Sequence, residues 1–272
     1  MSRISARLAA VKDRGRKALI PYITAGDPHP GQTVGLMHAL VEGGADLIEL
    51  GVPFSDPMAD GPVIQLACER ALAHGTSLRQ VIGMVAEFRK RDAQTPVVLM
   101  GYLNPIEHIG IAAFAVEASA AGVDGVLIVD LAVEEAADFI GPLRESGIDL
   151  IFLIAPTSPA ARIQAVASQA GGYLYYVSVK GVTGSSQLDV ASVEAKLQEI
   201  RRYTALPLAV GFGIRDPESA AKVARIADGV IVGSALVSEI EKHQGQAQVL
   251  PEILKGKLRA MRRAMDNEGV PS

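Results

Sequence analysis

The 272-residue sequence predicts an α/β fold, a (β/α)8 TIM barrel, from two observations. Eight short runs rich in Val, Ile and Leu recur along it: "ALIPYIT", "DLIELG", "VVLMGY", "GVLIVD", "LIFLIAP", "YLYYVSV", "LAVGFG" and "GVIVGS". Between them lie stretches with helical spacing, such as Leu78, Val81, Ile82, Val85 and Phe88, or Val133, Ala136, Ala137, Ile140 and Leu143. Strands alternating with helices pair in parallel, and near-continuous apolar strands are covered on both faces. Eight such units fit the roughly 250 residues of a barrel, here read as a single domain over residues 1–272. The competing open, doubly wound sheet would carry a glycine fingerprint after its first strand, and "TAGDPHPG" does not fit that pattern.

The basic start, "MSRISARLAAVKDRGRKALI", places Ile4, Leu8 and Val11 on one helical face, with Asp13 and Gly15 before the first strand. It is read as a short helix packed under the barrel rather than as a transit peptide. The second and third strands are separated by a segment long enough for an extra helix. Pro62 suits a first helical turn and "AHGTS", residues 73–77, a stop and restart. Extra material on such a connection lies on the catalytic face of a barrel. "GGADLIELG", "AGVDGVLIVD" and "RIADGVIVGS" repeat an Asp (Asp46, Asp124, Asp228) just before a strand, read as turn chemistry in which Asp bonds its own backbone.

Composition narrows the function. The chain is 49% hydrophobic and 21% charged, with a formal net charge of -4 and both signs interspersed, so it lacks the polycationic surface that nucleic acid requires. No apolar run is long enough to span a bilayer. The single cysteine, Cys68, excludes an internal disulfide, suits a reducing compartment and sits in a helix-like stretch, where it reads as a packing residue. The histidines, His29, His38, His74, His108 and His243, show no paired metal-ligand spacing and none ends a strand, so no metal is expected. There is no serine in a nucleophile elbow.

In a barrel, side chains at the C-terminal strand ends face the active site. Glu49 lies among Leu47, Ile48, Leu50 and Val52 near the end of the second strand, Asp60 in the loop behind it and Asp130 at the end of the fourth. A carboxylate in an apolar run either points to solvent or has a reason to be buried. Inside an apolar-walled pocket Glu49 would have a raised pKa and could exchange protons near neutral pH. Asp60 would stay ionised and hold an N–H or cationic group, or else cap a turn in "ADGP".

Glycines mark the ends of three successive strands. "GVTG" (Gly181–Gly184) follows the sixth, "GFG" (Gly211–Gly213) ends the seventh, and "GSAL" from Gly233 opens a helix after the eighth. Loops there with a helix N-terminus form the phosphate site of many barrels, and Ser234 can add a donor. Tyr22, Met100, Tyr102, Tyr173, Tyr175 and Phe212 would line the rest of the pocket, which suits a flat aromatic ligand carrying a phosphate. Alternation along the sixth strand puts Tyr173, Tyr175 and Val177 on one side and Tyr176 on the other.

These segments resemble the tryptophan synthase alpha chain family along nearly the whole sequence. The likeness is sharpest in "LIELGVPFSDPMADGPVIQ", with "PYITAGDP", "VVLMGYLNPI", "YYVSVKGVTG", "VGFGI" and "GSAL" in the same order. The resemblance implies cofactor-free retro-aldol cleavage of indole-3-glycerol phosphate to indole and glyceraldehyde 3-phosphate. It makes Glu49 the acid/base at the ring carbon bearing the glycerol chain, and Asp60 the carboxylate that holds the indole N–H. It assigns Gly184, Gly213, Gly233 and Ser234 to phosphate, and Tyr22, Met100, Tyr175 and Phe212 to the substrate walls. Thr183 belongs to a mobile loop that closes over the site. It further implies a cytoplasmic alpha2-beta2 complex whose beta chain carries pyridoxal phosphate and receives indole. "PFSDP" (Pro53, Phe54, Asp56, Pro57) and "LNP" (with Asn104) match the segments facing that chain, and Asp130 begins the region of communication with it.

The sequence departs from the family at "DLAVEE", Asp130–Glu135, which lacks two prolines the family often has there, and at Lys180, which precedes a glycine where some members carry Arg. Allosteric coupling would differ while catalysis would not. Lys180 also supports a rival reading, a Schiff-base phosphosugar aldolase. A third is a phosphate-ligand-binding regulatory subunit with little chemistry of its own, against which an intact Glu49 and Asp60 argue.

Overall fold

The computed structural model of the chain describes residues 2–178, 189–211 and 213–267. Eight parallel strands close into a barrel in sequence order: β1 (Ala18–Thr24), β2 (Ile48–Gly51), β3 (Val97–Gly101), β4 (Gly125–Ile128), β5 (Asp149–Ile154), β6 (Leu174–Val177), β7 (Leu208–Gly211) and β8 (Gly229–Val232). Closure is made by β8 on β1, from Ala18 opposite Gly229 to Pro21 opposite Val232. The helices are α1 (Arg3–Asp13), α2 (Thr33–Glu42), α3 (Pro62–Ala73), α4 (Leu78–Arg89), α5 (Leu103–Ile109), α6 (Ile111–Ala121), α7 (Ala137–Glu145), α8 (Ala160–Gln169), α9 (Val190–Ile200), α10 (Pro217–Ala224), α11 (Ser234–Lys242) and α12 (Leu250–Asn267). None is long and apolar enough to cross a membrane.

Strand alternation sorts the core into two layers. Outward residues such as Ile48, Leu50, Leu99, Val126 and Tyr176 pack under the helices. Inward residues, Ile20, Leu47, Val98, Leu127, Ile151, Tyr173, Tyr175 and Ile231, fill the barrel. The N-terminal helix lies where its apolar face requires: Ile4, Leu8 and Val11 of α1 join the inner cluster and plug the N-terminal end of the barrel. The Ser2 hydroxyl caps this helix by accepting from the Ser5 N–H at 3.2 Å.

The long connection after β2 does hold an extra helix, α3, with Pro62 in its first turn. The chain turns at Gly75, φ +71°, and restarts in α4 through a reciprocal cap between Ser77 and Gln80. Cys68 is buried in α3 beside Tyr22, Ile64 and Val237, and burial pushes its thiol up to about 11, so it is a packing residue.

The repeated aspartates differ from their expected role. Asp46, Asp124 and Asp228 do not bond their own backbones; each reaches across to the preceding strand, accepting from the N–H of Leu19 (3.0 Å), Val97 (2.8 Å) and Leu208 (3.0 Å) respectively. Val97 and Leu208 open β3 and β7 and Leu19 is the second residue of β1, so each carboxylate supplies an acceptor to an N–H at the start of a strand. Arginines neutralise the row: Arg262 sits 3.2 Å from Asp46, Arg201 3.3 Å from Asp228, and Asp124 is held by Arg89 at 2.7 Å and by Arg3.

Candidate active site

At the C-terminal end of the barrel a cavity of about 660 Å³ opens, in the range of small-molecule sites. Its floor is reached by Glu49. Leu47, just before β2, and Glu49 point inward while Ile48 and Leu50 point outward, so the residue that looks misplaced in an apolar run is an inward side chain of β2, followed on the same face by Gly51. It stands in register between Tyr22 on β1 and Val98 on β3. Its side chain has no solvent exposure. One oxygen accepts from the Tyr173 hydroxyl, and the other has no hydrogen-bond partner among the described residues. Burial, only partly offset by the tyrosine bond, raises its pKa from 4.5 to about 8.

Asp60 lines the same cavity from the loop between β2 and α3. That loop is tied by the Asp60 N–H to the Pro57 carbonyl at 3.0 Å and by the Gln65 side-chain amide to the Asp60 carbonyl at 2.9 Å. The Tyr102 hydroxyl donates to Asp60 Oδ2 at 2.8 Å and accepts from the Ala59 N–H at 3.1 Å. Burial raises the Asp60 pKa and the phenol bond opposes it. Sequence reasoning placed Tyr102 and Tyr173 among the pocket walls; instead they stand behind the two carboxylates, one partner for each. Their links to Asp60 and Glu49 span 42 and 124 residues, beyond any local pattern.

Tyr22, Met100 and Tyr175 do line the cavity. The two tyrosines lie across glycines of neighbouring strands: a Cβ at Gly51 would come within 2.1 Å of the Tyr22 hydroxyl, and one at Gly211 within 2.1 Å of that of Tyr175. Gly213, in left-handed conformation at φ +80°, together with Gly233 and Ser234, lines the same cavity, with Gly233 beside Tyr22. Gly233 caps α11 without a side-chain bond; the Leu236 N–H bonds the Gly233 carbonyl at 2.8 Å, while Ser234 and Ala235, the first two residues of the helix, line the cavity. Gly184, Thr183, Lys180 and Phe212 lie outside the described residues.

Of the residues matched to a partner face, Phe54, Asp56, Pro57, Asn104 and Asp130 are at least partly exposed, while Pro53 is buried. Phe54 stacks on Tyr102 with ring centroids 5.1 Å apart, and Asp130 accepts from the Leu103 N–H at 2.8 Å. In "DLAVEE" the buried Leu131 and Val133 seat a short 3-10 turn, Val133–Glu135, in place of proline stiffening. Among the described residues no group of three His, Cys, Asp or Glu side chains could hold a metal ion. Residues not foreseen from the sequence also line the cavity: Thr157 and Ser158 before α8, Arg162 in its first turn, and Arg215 before α10.

Comparison with known proteins identifies the family. The family model described as tryptophan synthase alpha chain matches residues 8–266. The alpha chain of Thioalkalivibrio sulfidiphilus is 61% identical over 266 residues, covering 98% of this chain and all of that one, and that of Marinobacter nauticus is 62% identical over 268, covering 98% and 99%. Among solved structures, the Legionella pneumophila tryptophan synthase alpha subunit superposes with a TM-score of 0.91 at 48% identity, covering 98% of this chain and 99% of its own. A chain of Mycobacterium tuberculosis tryptophan synthase gives 0.87 at 35%, covering 97% and 98%. With the matched segment running from α1 into α12 and relatives at about 60% identity over nearly its whole length, this chain belongs to the tryptophan synthase alpha chain family.

Proposed function

We propose that this cavity cleaves indole-3-glycerol phosphate into indole and glyceraldehyde 3-phosphate, as the alpha subunit of tryptophan synthase. The observation that carries the reading is Glu49: a fully buried carboxyl with a pKa of about 8 and one oxygen uncommitted, at the floor of a cavity that also holds a second carboxylate and a helix N-terminus. At neutral pH it is protonated and can act as an acid.

Glu49 gives its proton to the indole ring carbon that bears the glycerol chain, producing a cationic indolenine-like intermediate. Asp60 accepts the ring N–H and offsets that charge, with Tyr102 holding the carboxylate in place. Glu49, now ionised, assists removal of the proton from the adjacent side-chain hydroxyl. The carbonyl forms, the carbon–carbon bond breaks, and its electron pair returns to the ring. The cycle regenerates protonated Glu49 and needs no cofactor. Gly213, Gly233 and Ser234 hold the phosphate and Tyr22, Met100 and Tyr175 enclose the substrate, roles that the family resemblance extends to Gly184 for phosphate and to Phe212 and Thr183 for substrate.

The subunit works in the cytoplasm as a single barrel domain in an alpha2-beta2 complex. The exposed residues from Phe54 to Pro57, with Asn104 and Asp130, meet a beta chain that carries pyridoxal phosphate and takes up indole. Family membership supports this reading over a Schiff-base aldolase or a regulatory binding subunit.

The test is indole release from indole-3-glycerol phosphate by the purified chain, with and without a beta chain, for wild type and Glu49→Gln. Release that rises with the partner and falls about 1,000-fold in the variant is expected. Unchanged turnover in Glu49→Gln would overturn the assignment.

A further inference from the structure

The phosphate cradle has a charge problem. Its described members, Gly213, Gly233 and Ser234, are neutral, and the same cavity contains Glu49 and Asp60. A dianion approaching the mouth gains the partial positive charge of the α11 N-terminus but no full countercharge from these groups. Two guanidinium groups, Arg162 and Arg215, line the cavity and remain exposed.

Both arginines occupy positions where helix electrostatics give no reason for a cation. Arg162 is the third residue of α8, whose first turn contains no acidic side chain. A positive charge there opposes the helix dipole. Arg215 immediately precedes Asp216, the N-cap of α10. Asp216 spends its carboxylate on Ser219, accepting from its N–H at 2.8 Å and from its hydroxyl at 2.8 Å. Arg215 lies near enough to help lower the Asp216 pKa, yet it forms no ion pair with it. Neither guanidinium makes a hydrogen bond or salt bridge among the described residues, although Arg162 stands one turn from Ser158, whose carbonyl is taken by Lys196 at 2.8 Å.

We propose that Arg162 and Arg215 form an outer capture station for phosphate esters, drawing the dianion to the mouth and passing it to the uncharged N–H cradle. This rests on the reading that the cavity takes a phosphate ester, and it adds two specificity residues that act on binding rather than on the chemical step. Exposed, unpaired guanidinium groups attract through water, so their action weakens with salt. They also suit a ligand phosphate better than lysine would, through paired N–H donors.

The test uses the full chain and four variants: Arg162→Gln, Arg215→Gln, the double Gln and the double Lys. Calorimetry measures glycerol 3-phosphate and, as an uncharged probe, indole; steady-state kinetics measure indole-3-glycerol phosphate at low and at physiological salt. The double Gln variant raises KM and the glycerol 3-phosphate Kd about tenfold at low salt and flattens the salt dependence of both. It leaves kcat and indole binding unchanged, and the double Lys variant recovers most of the loss. An unchanged KM and salt slope would overturn the proposal, as would a loss of kcat and indole affinity alongside the rise in KM, which marks simple misfolding of the rim. Normal indole release with arginine-independent binding sinks the capture station alone. Absent indole release with arginine-dependent glycerol 3-phosphate binding sinks the lyase reading and leaves the station standing. A wild-type chain that does not bind glycerol 3-phosphate overturns the station.

Discussion

At the N-terminal end of the barrel Asp124 is buried against Arg89, Arg3 and a strand N–H, whereas at the C-terminal end Glu49, buried still more completely, meets one tyrosine hydroxyl. Both carboxylates belong to short strand-entry or strand-end segments of similar composition. The first has its charge offset from three directions and stabilises the junction of β3 and β4. The second has almost no compensation, and the desolvation cost appears as a pKa raised to about 8. What separates the structural acid from the one proposed to react is the company of cations, not depth.

Exchanging the charge at each end is the strongest way to break that contrast. Glu49→Gln abolishes most indole release yet keeps the fold, because the amide is shaped like the neutral acid already present; circular dichroism and a urea midpoint at or above wild type are the check. Asp124→Ala does the reverse. It removes the carboxylate from the partly buried Arg89, leaving the guanidinium on the Gly122, Asp92 and Thr95 carbonyls alone, and takes the acceptor from the Val97 N–H, and should cost about 3 kcal/mol in urea denaturation. Folded material should keep its kcat.

The pH dependence of stability sharpens the comparison further. An unfolded Glu49 ionises near 4.5 and the native one near 8, so the native chain binds more protons between those values. Stability contributed by Glu49 is therefore complete below pH 4.5 and declines as pH rises toward 8. Glu49→Gln should remove that decline from a series of denaturation midpoints, whereas a wild-type slope retained in the variant would place the titration elsewhere. Tyr102→Phe carries the smallest effect. Loss of the phenol that holds Asp60 and the Ala59 N–H should lower kcat/KM about tenfold with little change in melting temperature.

Much of this was readable from the chain. Strand runs, the helix under the barrel and the extra helix at Pro62 follow from local periodicity and end signals, which act over a few residues. Glu49 was legible because strand alternation and barrel geometry together fix which way a residue near a strand end points. The aspartate row was misread because a repeated Asp announces a turn equally well whether it bonds its own backbone or the strand next door. Tyr102 and Tyr173 were recognised as inward aromatics but not as carboxylate partners, since that pairing depends on closure between strands far apart in sequence. Arg162 and Arg215 give a weaker trace, cations at helix starts, which becomes meaningful only when both helices are seen to begin at one rim.

The plug formed by Ile4, Leu8 and Val11 gives the barrel the plan of a cul-de-sac. Among the described residues a helix fills the base, so a ligand that enters between Asp60, the α11 N-terminus and the two arginines comes to rest above Glu49.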